Sequence, residues 1–186
     1  MRAVFLDRDG TINKEVNLLR SVRQLRILPG VARAIRDLNK LGFLVVVVTN
    51  QAVVARGWVK EREIDRVHAV LIDRLKQRGA KLDAIYYCPH HPRADLKKYR
   101  VRCRCRKPNV GMIKKAVRKF GINLRKSFIV GDHTWDILTG KRSGLKTILV
   151  KTGYGGKDGR YEVKPDFVVK NLPEAVGIIK KYAKAK

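Results

Sequence analysis

The chain has 186 residues, 45% of them hydrophobic, which suits one domain able to cover both faces of a sheet. Its longest unbroken apolar run, Phe43 to Val48, is far short of the roughly 20 residues of a membrane-spanning helix, and only Ala3 to Leu6 is continuously apolar before Asp7, so neither a bilayer span nor a secretory leader is expected and a cytoplasmic home follows. The 43 Lys and Arg against 16 Asp and Glu leave +27, so partners should be anionic: a phosphorylated metabolite, a nucleic acid, or only the ions around a dispersed basic surface.

Short apolar runs alternate with segments of helical period, the pattern of β-α-β units in a doubly wound parallel sheet with helices on both faces. Strands are expected at Ala3–Leu6, Leu44–Thr49, Ala84–Tyr87, Phe128–Gly131, Thr147–Val150 and Phe167–Val169. Between them, Val31, Ile35, Leu38 and Leu41 mark one helical face, and Ile64, Val67, Leu71 and Leu75 another. His68, on that second helix, is expected to be partly exposed. Gly42, Gly79, Gly121 and Gly144 stand where helices end, Pro29 and Pro173 where they begin. The Lys-rich stretch 180–186 reads as a frayed helix end, and residues 1–186 as one domain.

In such a sheet, ligands bind outside the carboxyl ends of the strands. The residues found there are Asp7-Arg8-Asp9-Gly10-Thr11, then Thr49-Asn50-Gln51, and later Gly131-Asp132 with Asp136 following. Two carboxylates at i and i+2 could meet on one side and share a divalent ion, and oxygen donors suit magnesium. Asp7 could then attack phosphorus while Asp9 handles protons, with Gly10 freeing a tight turn and Thr11 hydrogen-bonding locally. Thr49, nearby backbone N–H groups and a lysine could stabilise the equatorial oxygens. The bland alternative is that these aspartates are turn and cap residues.

All three cysteines fall in one segment, Cys88-Pro89-His90 and Cys103-Arg104-Cys105. Three thiolates and an imidazole suit tetrahedral zinc, closing the loop 88–105, which is too basic and polar to fold on a core of its own. Eight Lys or Arg occupy the fifteen positions from Arg93 to Lys107. Unligated buried thiols are the alternative.

Asp7-x-Asp9-Gly10-Thr11, Thr49-Asn50-Gln51, Lys107 and Gly131-Asp132-x-x-x-Asp136 resemble the four ordered motifs of the haloacid-dehalogenase-like (HAD-like) phosphatases. That resemblance implies a Rossmannoid fold, Asp7 as nucleophile and Mg2+ ligand, Asp9 as acid/base and backbone ligand, and Asp132 as the second acidic ligand supported by Asp136. Thr49 and Lys107 would bind the phosphoryl group. Cys88-Pro89-His90-His91-Pro92, Cys103-x-Cys105-Arg106-Lys107-Pro108 and Gly111-Met112 further resemble the D-glycero-D-manno-heptose 1,7-bisphosphate 7-phosphatases, from about residue 3 to about residue 155. Members of that family lack a large cap domain. The resemblance implies Mg2+ and structural Zn2+, favours His90 over His91 as the fourth zinc ligand, and places Arg106 on the phosphate that is not cleaved. Glu15 and Asn17, in the flap after the first strand, would meet sugar hydroxyls, and the Glu15-Val16-Asn17 segment is slightly more similar to the branch acting on the α-anomer. His133 departs from relatives that carry lysine there.

Three rival readings share some of these features: a histidinol-phosphate phosphatase, a polynucleotide 3′-phosphatase, and a zinc-dependent nucleic-acid-binding module without catalysis. A monomer acting on a small phosphorylated sugar is the expectation, with nucleic acid suggested by net charge alone.

Overall fold

The structure, a computed structural model, describes residues 1–184, and the last two positions of the Lys-rich end lie outside the described residues. Six strands form one parallel sheet: β1 (Ala3–Leu6), β2 (Leu44–Asn50), β3 (Ala84–Cys88), β4 (Phe128–Gly131), β5 (Lys146–Val150) and β6 (Phe167–Val169), in the order β3-β2-β1-β4-β5-β6. The order reverses between β1 and β4, which is where a doubly wound sheet opens a crevice. Each expected strand is present, three of them longer by one residue at one end.

Alternation along the strands assigns side chains to the two layers. Val4 and Leu6, Val45 and Val47, and Phe128 and Val130 face α1 (Val31–Lys40), α3 (Glu61–Lys76) and α6 (Leu172–Lys184). Ala3 and Phe5, Val46 and Val48, and Ile129 face α4 (Gly111–Phe120), which contributes Met112, Ile113 and Ala116. A short α2 (Ala52–Ala55) follows β2, and α5 (Thr134–Ser143) follows β4. Strands buried on both faces must be apolar throughout, which is why β1, β2 and β4 read as unbroken hydrophobic runs. At Gly140 an added methyl carbon would lie 2.4 Å from Ile129 and 2.5 Å from Thr147, so α5 rests directly on β4 and β5.

The 88–105 loop has more apolar footing than its composition suggests. Ala94 and Tyr99 are buried in a third small cluster with Val53, Val54, Ala55 and Ile64, and the Tyr99 hydroxyl donates to Glu61 Oε1 at 2.7 Å. Of the Lys-rich stretch 180–186, α6 takes in Lys180 to Lys184, and Lys180 Nζ reaches Asp37 Oδ2 at 2.8 Å, tying α6 to α1.

Candidate active site

The carboxyl ends of β1, β2 and β4 converge on a cavity of about 120 Å³, lined by Asp7, Asp9, Glu15, Asn17, Thr49, Asn50, Gln51, Arg106, His133, Trp135 and Tyr154 among others. Below it, side-chain atoms of Asp7, Asp132, His133 and Asp136 all lie within 4.8 Å of one another. Lys107 enters this group from the far end of the cysteine loop, with Nζ 2.9 Å from Asp7 Oδ1, 2.6 Å from Asp136 Oδ1 and 2.7 Å from the Val48 carbonyl. Burial alone would push Lys107 down, but Asp136 and Asp7 outweigh it and its ammonium is held charged. Asp136 is pushed up to about 7 by burial and by the charge of Asp7, against the pull of the lysine.

Asp132 is walled in by backbone. A methyl carbon built at Gly10 or at Gly153 would lie 2.3 Å or 2.1 Å from its Oδ2, and both glycines have positive φ, +75° and +63°. Tyr154 N donates to the same oxygen at 2.8 Å and His133 Nδ1 to Oδ1 at 2.9 Å. Burial raises the Asp132 carboxyl, with Asp7 adding to it against the His133 bond. His133, lowered by burial but raised more by Asp132, is biased to imidazolium; its ring stacks on Trp135 at 3.9 Å and leans on Tyr154 at 4.4 Å. The Asp136 carboxylate also accepts from His133 N at 3.1 Å, fixing the first turn of α5.

Asp9 is grouped differently. Its carboxylate lies outside the cluster of possible ligand atoms and sits in the fork of Arg8, with Nη2 2.6 Å from Oδ2 and Nε 3.1 Å from Oδ1. Asn13 and Gln51 add donors at 2.8 Å and 3.0 Å. Burial pushes the Asp9 carboxyl up, but the guanidinium and these bonds outweigh burial and hold it below the usual carboxylate range. Arg8 is itself 0% exposed, and its Nη1 meets His68 Nε2 at 3.0 Å. A guanidinium only donates, so that nitrogen carries a lone pair and the ring is neutral. Burial and the Arg8 charge lower His68 to about 3, and its burial corrects the partly exposed helix residue read from sequence.

Thr49 Oγ1 accepts from Gln51 Nε2 at 2.9 Å, and the Asn50 amide exchanges two bonds with the Lys107 backbone, at 3.1 Å and 3.0 Å. Asn50 thereby clamps the cysteine loop to the end of β2. Thr11 is buried but its hydroxyl has no partner, so the local bond expected of it is not formed. Glu15 Oε1 accepts from Asn17 N at 2.6 Å, and burial followed by the charge of Asp9 raises its carboxyl.

Cys88, His90, Cys103 and Cys105 close into a compact cage. Its sulfur separations are 3.0, 3.2 and 3.4 Å, and His90 Nδ1 is 3.5 and 3.7 Å from Cys105 and Cys88. A tetrahedron of thiolates about 2.3 Å from a zinc ion has edges only slightly longer, roughly 3.8 Å, so the cage fits that ion with little movement. Bonding to Cys88 lowers the Cys105 thiol to about 5. Arg106 N points at Cys103 Sγ, 3.3 Å away, while its guanidinium grips the His90 carbonyl at 3.0 Å.

Several of these residues escape a motif reading. Arg8 is the unspecified middle of Asp-x-Asp and carries no signal by itself. His68 does carry one, since it falls four residues after Ile64 and three before Leu71, inside the apolar stripe of α3. Gly153 and Tyr154 follow β5, where the strand-end rule applies as it does to β1.

Known proteins resemble this chain in both sequence and fold. A family model described as HAD-hydrolase-like matches residues 104–175. The chain is 37% identical over 181 residues to a D-glycero-beta-D-manno-heptose-1,7-bisphosphate 7-phosphatase of Pasteurella multocida, covering 96% of this chain and 97% of that protein. It is 40% identical over 143 residues to the enzyme of the same name from Rhodopseudomonas palustris, covering 77% and 79%. Among solved structures, a D,D-heptose 1,7-bisphosphate phosphatase from B. bronchiseptica, complexed with magnesium and phosphate, superposes with a TM-score of 0.86 at 30% identity, covering 97% and 99%.

Proposed function

This chain belongs to the heptose-1,7-bisphosphate 7-phosphatase family of HAD-like hydrolases, and from that membership we propose that it removes the 7-phosphate of D-glycero-D-manno-heptose 1,7-bisphosphate through an aspartyl-phosphate on Asp7. It is a phosphoric monoester hydrolase. One observation carries the site assignment: the carboxylate of Asp7 stands where the switch point of the sheet, a buried lysine and two further carboxylates meet.

In this reading an Asp7 oxygen attacks phosphorus in line with the bond to O7. That bond breaks, Asp9 gives its proton to the departing oxygen, and the phosphoryl group rests on Asp7. In the second half Asp9 takes a proton from water, the resulting hydroxyl attacks the same phosphorus, and Asp7 is released with inorganic phosphate. Asp9 rests ionised in the Arg8 fork, so it acts as an acid only after leaving that fork and taking up a proton from solvent, which it then passes to the departing oxygen; the fork matches the form needed in the second half. Lys107 and Thr49 hold the equatorial oxygens, with Lys107 presented by Val48, Asp136 and Asn50.

The crowded carboxylates of Asp7 and Asp132, with Asp136 behind them, are an oxygen donor set that fits magnesium, joined by the backbone carbonyl of Asp9. Bound there, the ion would offset the charge gathered on the transferring phosphoryl group. Zinc held by Cys88, His90, Cys103 and Cys105 would be structural, fixing the backbone that runs on into Arg106 and Lys107. Arg106, partly buried at the pocket wall, holds the 1-phosphate, and Glu15 and Asn17 meet the sugar. The β-anomer, carried in the names of both relatives above, is the preferred substrate, against the slight α-like character of the flap.

Hydrolysis of the α- and β-bisphosphates, histidinol phosphate and a 3′-phosphorylated oligonucleotide, side by side with magnesium, tests the reading. Fastest release from the heptose substrate is expected. Turnover of the oligonucleotide alone would overturn it.

A further inference from the structure

From Leu96 to Gly131 the chain carries thirteen Lys and Arg and no Asp or Glu, so the basic charge is less dispersed than the overall composition suggests. Five of these side chains line one cleft of about 750 Å³ between the cysteine loop and α4: Arg102 and Arg104 from the loop, Lys114, Lys115 and Arg118 from the helix. Its apolar lining includes Val110, Val117 and Leu124. All five cations are exposed, and among the described residues none makes an ion pair or a side-chain hydrogen bond. No acidic side chain lines the cleft.

Five unneutralised cations around one cavity repel one another, and in a chain of +27 the nearest relief is an external anion. A single phosphate would satisfy one or two of them. Lys114 and Arg118, four residues apart on one face of α4, are separated by about 6 Å along the axis, comparable to the spacing of successive phosphates of an extended strand. The site is concave and its cations stand in the walls, which suits a threaded strand better than a flat lipid surface. With no aromatic side chain in the lining there is no platform for stacking bases, so recognition would be of the backbone alone. We propose that this cleft binds the phosphodiester backbone of a single-stranded nucleic acid, independently of sequence and apart from the phosphatase site.

The test is a fluorescent single strand about 16 nucleotides long, titrated with the full chain over a range of salt. Each phosphate contact on a single strand adds about 0.7 to the slope of log affinity against log salt, so replacing Lys114, Lys115 and Arg118 with Ala together should lower that slope by about 2. Phosphatase kinetics should be unchanged, which also shows that the variant folds. A control removes three equally exposed cations from the opposite side of the sheet, Arg66, Lys76 and Arg78, and should leave the slope nearly intact. Equal losses in the two triple variants would assign binding to net charge and overturn the proposal. So would a slope below about 1 for the parent chain, the mark of a single ion contact. Tighter association with anionic phospholipid vesicles than with the strand would also overturn it.

Discussion

Arg8, fully buried between the two aspartates of the first motif, meets Asp9 on one side and His68 on the other. Removing either aspartate separates their duties. Asp7→Asn should abolish phosphate release, whereas Asp9→Asn, which keeps the shape but not the proton, should lower kcat by about two to four orders of magnitude. Steady-state phosphate release measures both, and an Asp9→Asn rate within about tenfold of the parent would contradict its role. His68 has a consequence for stability. In the unfolded chain its ring takes a proton near pH 6.5, while in the folded protein it stays neutral down to about 3. Between those values the unfolded chain holds one more proton, so stability falls as pH drops, by about 2 kcal/mol from this residue between pH 7 and pH 5. Urea melts of the parent and of His68→Gln should show that slope reduced in the variant; identical slopes would mean that the ring is not held neutral. The acidic residues were legible because they follow strands in a doubly wound pattern. The contact of Arg8 with His68 was not, because it is made across the fold from a position that the Asp-x-Asp motif leaves open.

At the scale of elements, the strands could be read almost to their ends because burial on both faces leaves little choice of residue. Helix contacts were less legible. Gly140 gives no periodic signal, yet the seating of α5 on β4 and β5 depends on it. Ala is normally the better helix former by up to about 1 kcal/mol, but here its methyl would intrude on Ile129 and Thr147, and overpacking of this kind costs about 1–3 kcal/mol. Gly140→Ala should therefore destabilise the protein by about 1–2 kcal/mol in denaturant melts. Because α5 begins with the turn that carries Asp136, magnesium dependence should shift to higher concentration as well. A stabilised variant would show that α5 can move without cost. The buried Tyr99 and Ala94 show the opposite kind of miss, since two apolar residues among many charged ones are too few to mark a core by pattern, although the fold uses both.

Over the whole molecule, one sheet carries two cation-rich regions that differ in how their charge is partnered. At the strand ends positive charge is locked into pairs with carboxylates, as Lys107 is by Asp7 and Asp136. Along the outer face of α4 it is unpaired. Composition alone could not separate these, because it counts charge without its partners. The cysteine cage lies between the two regions, and on the proposed reading metal analysis should find about one zinc per chain. Cys103→Ser should lower that content and, by loosening Arg106, weaken bisphosphate binding more than it weakens a monophosphate. An unchanged preference between the two would detach the cage from recognition.

Cys105, Arg106 and Lys107 are consecutive in the chain. A thiol-directed poison need never reach the carboxylates to silence the enzyme: by prising open a cage at the rim, it would pull the adjoining cations out of register. The catalyst therefore inherits the vulnerability of its sulfur atoms to alkylation, although sulfur takes no part in the chemistry.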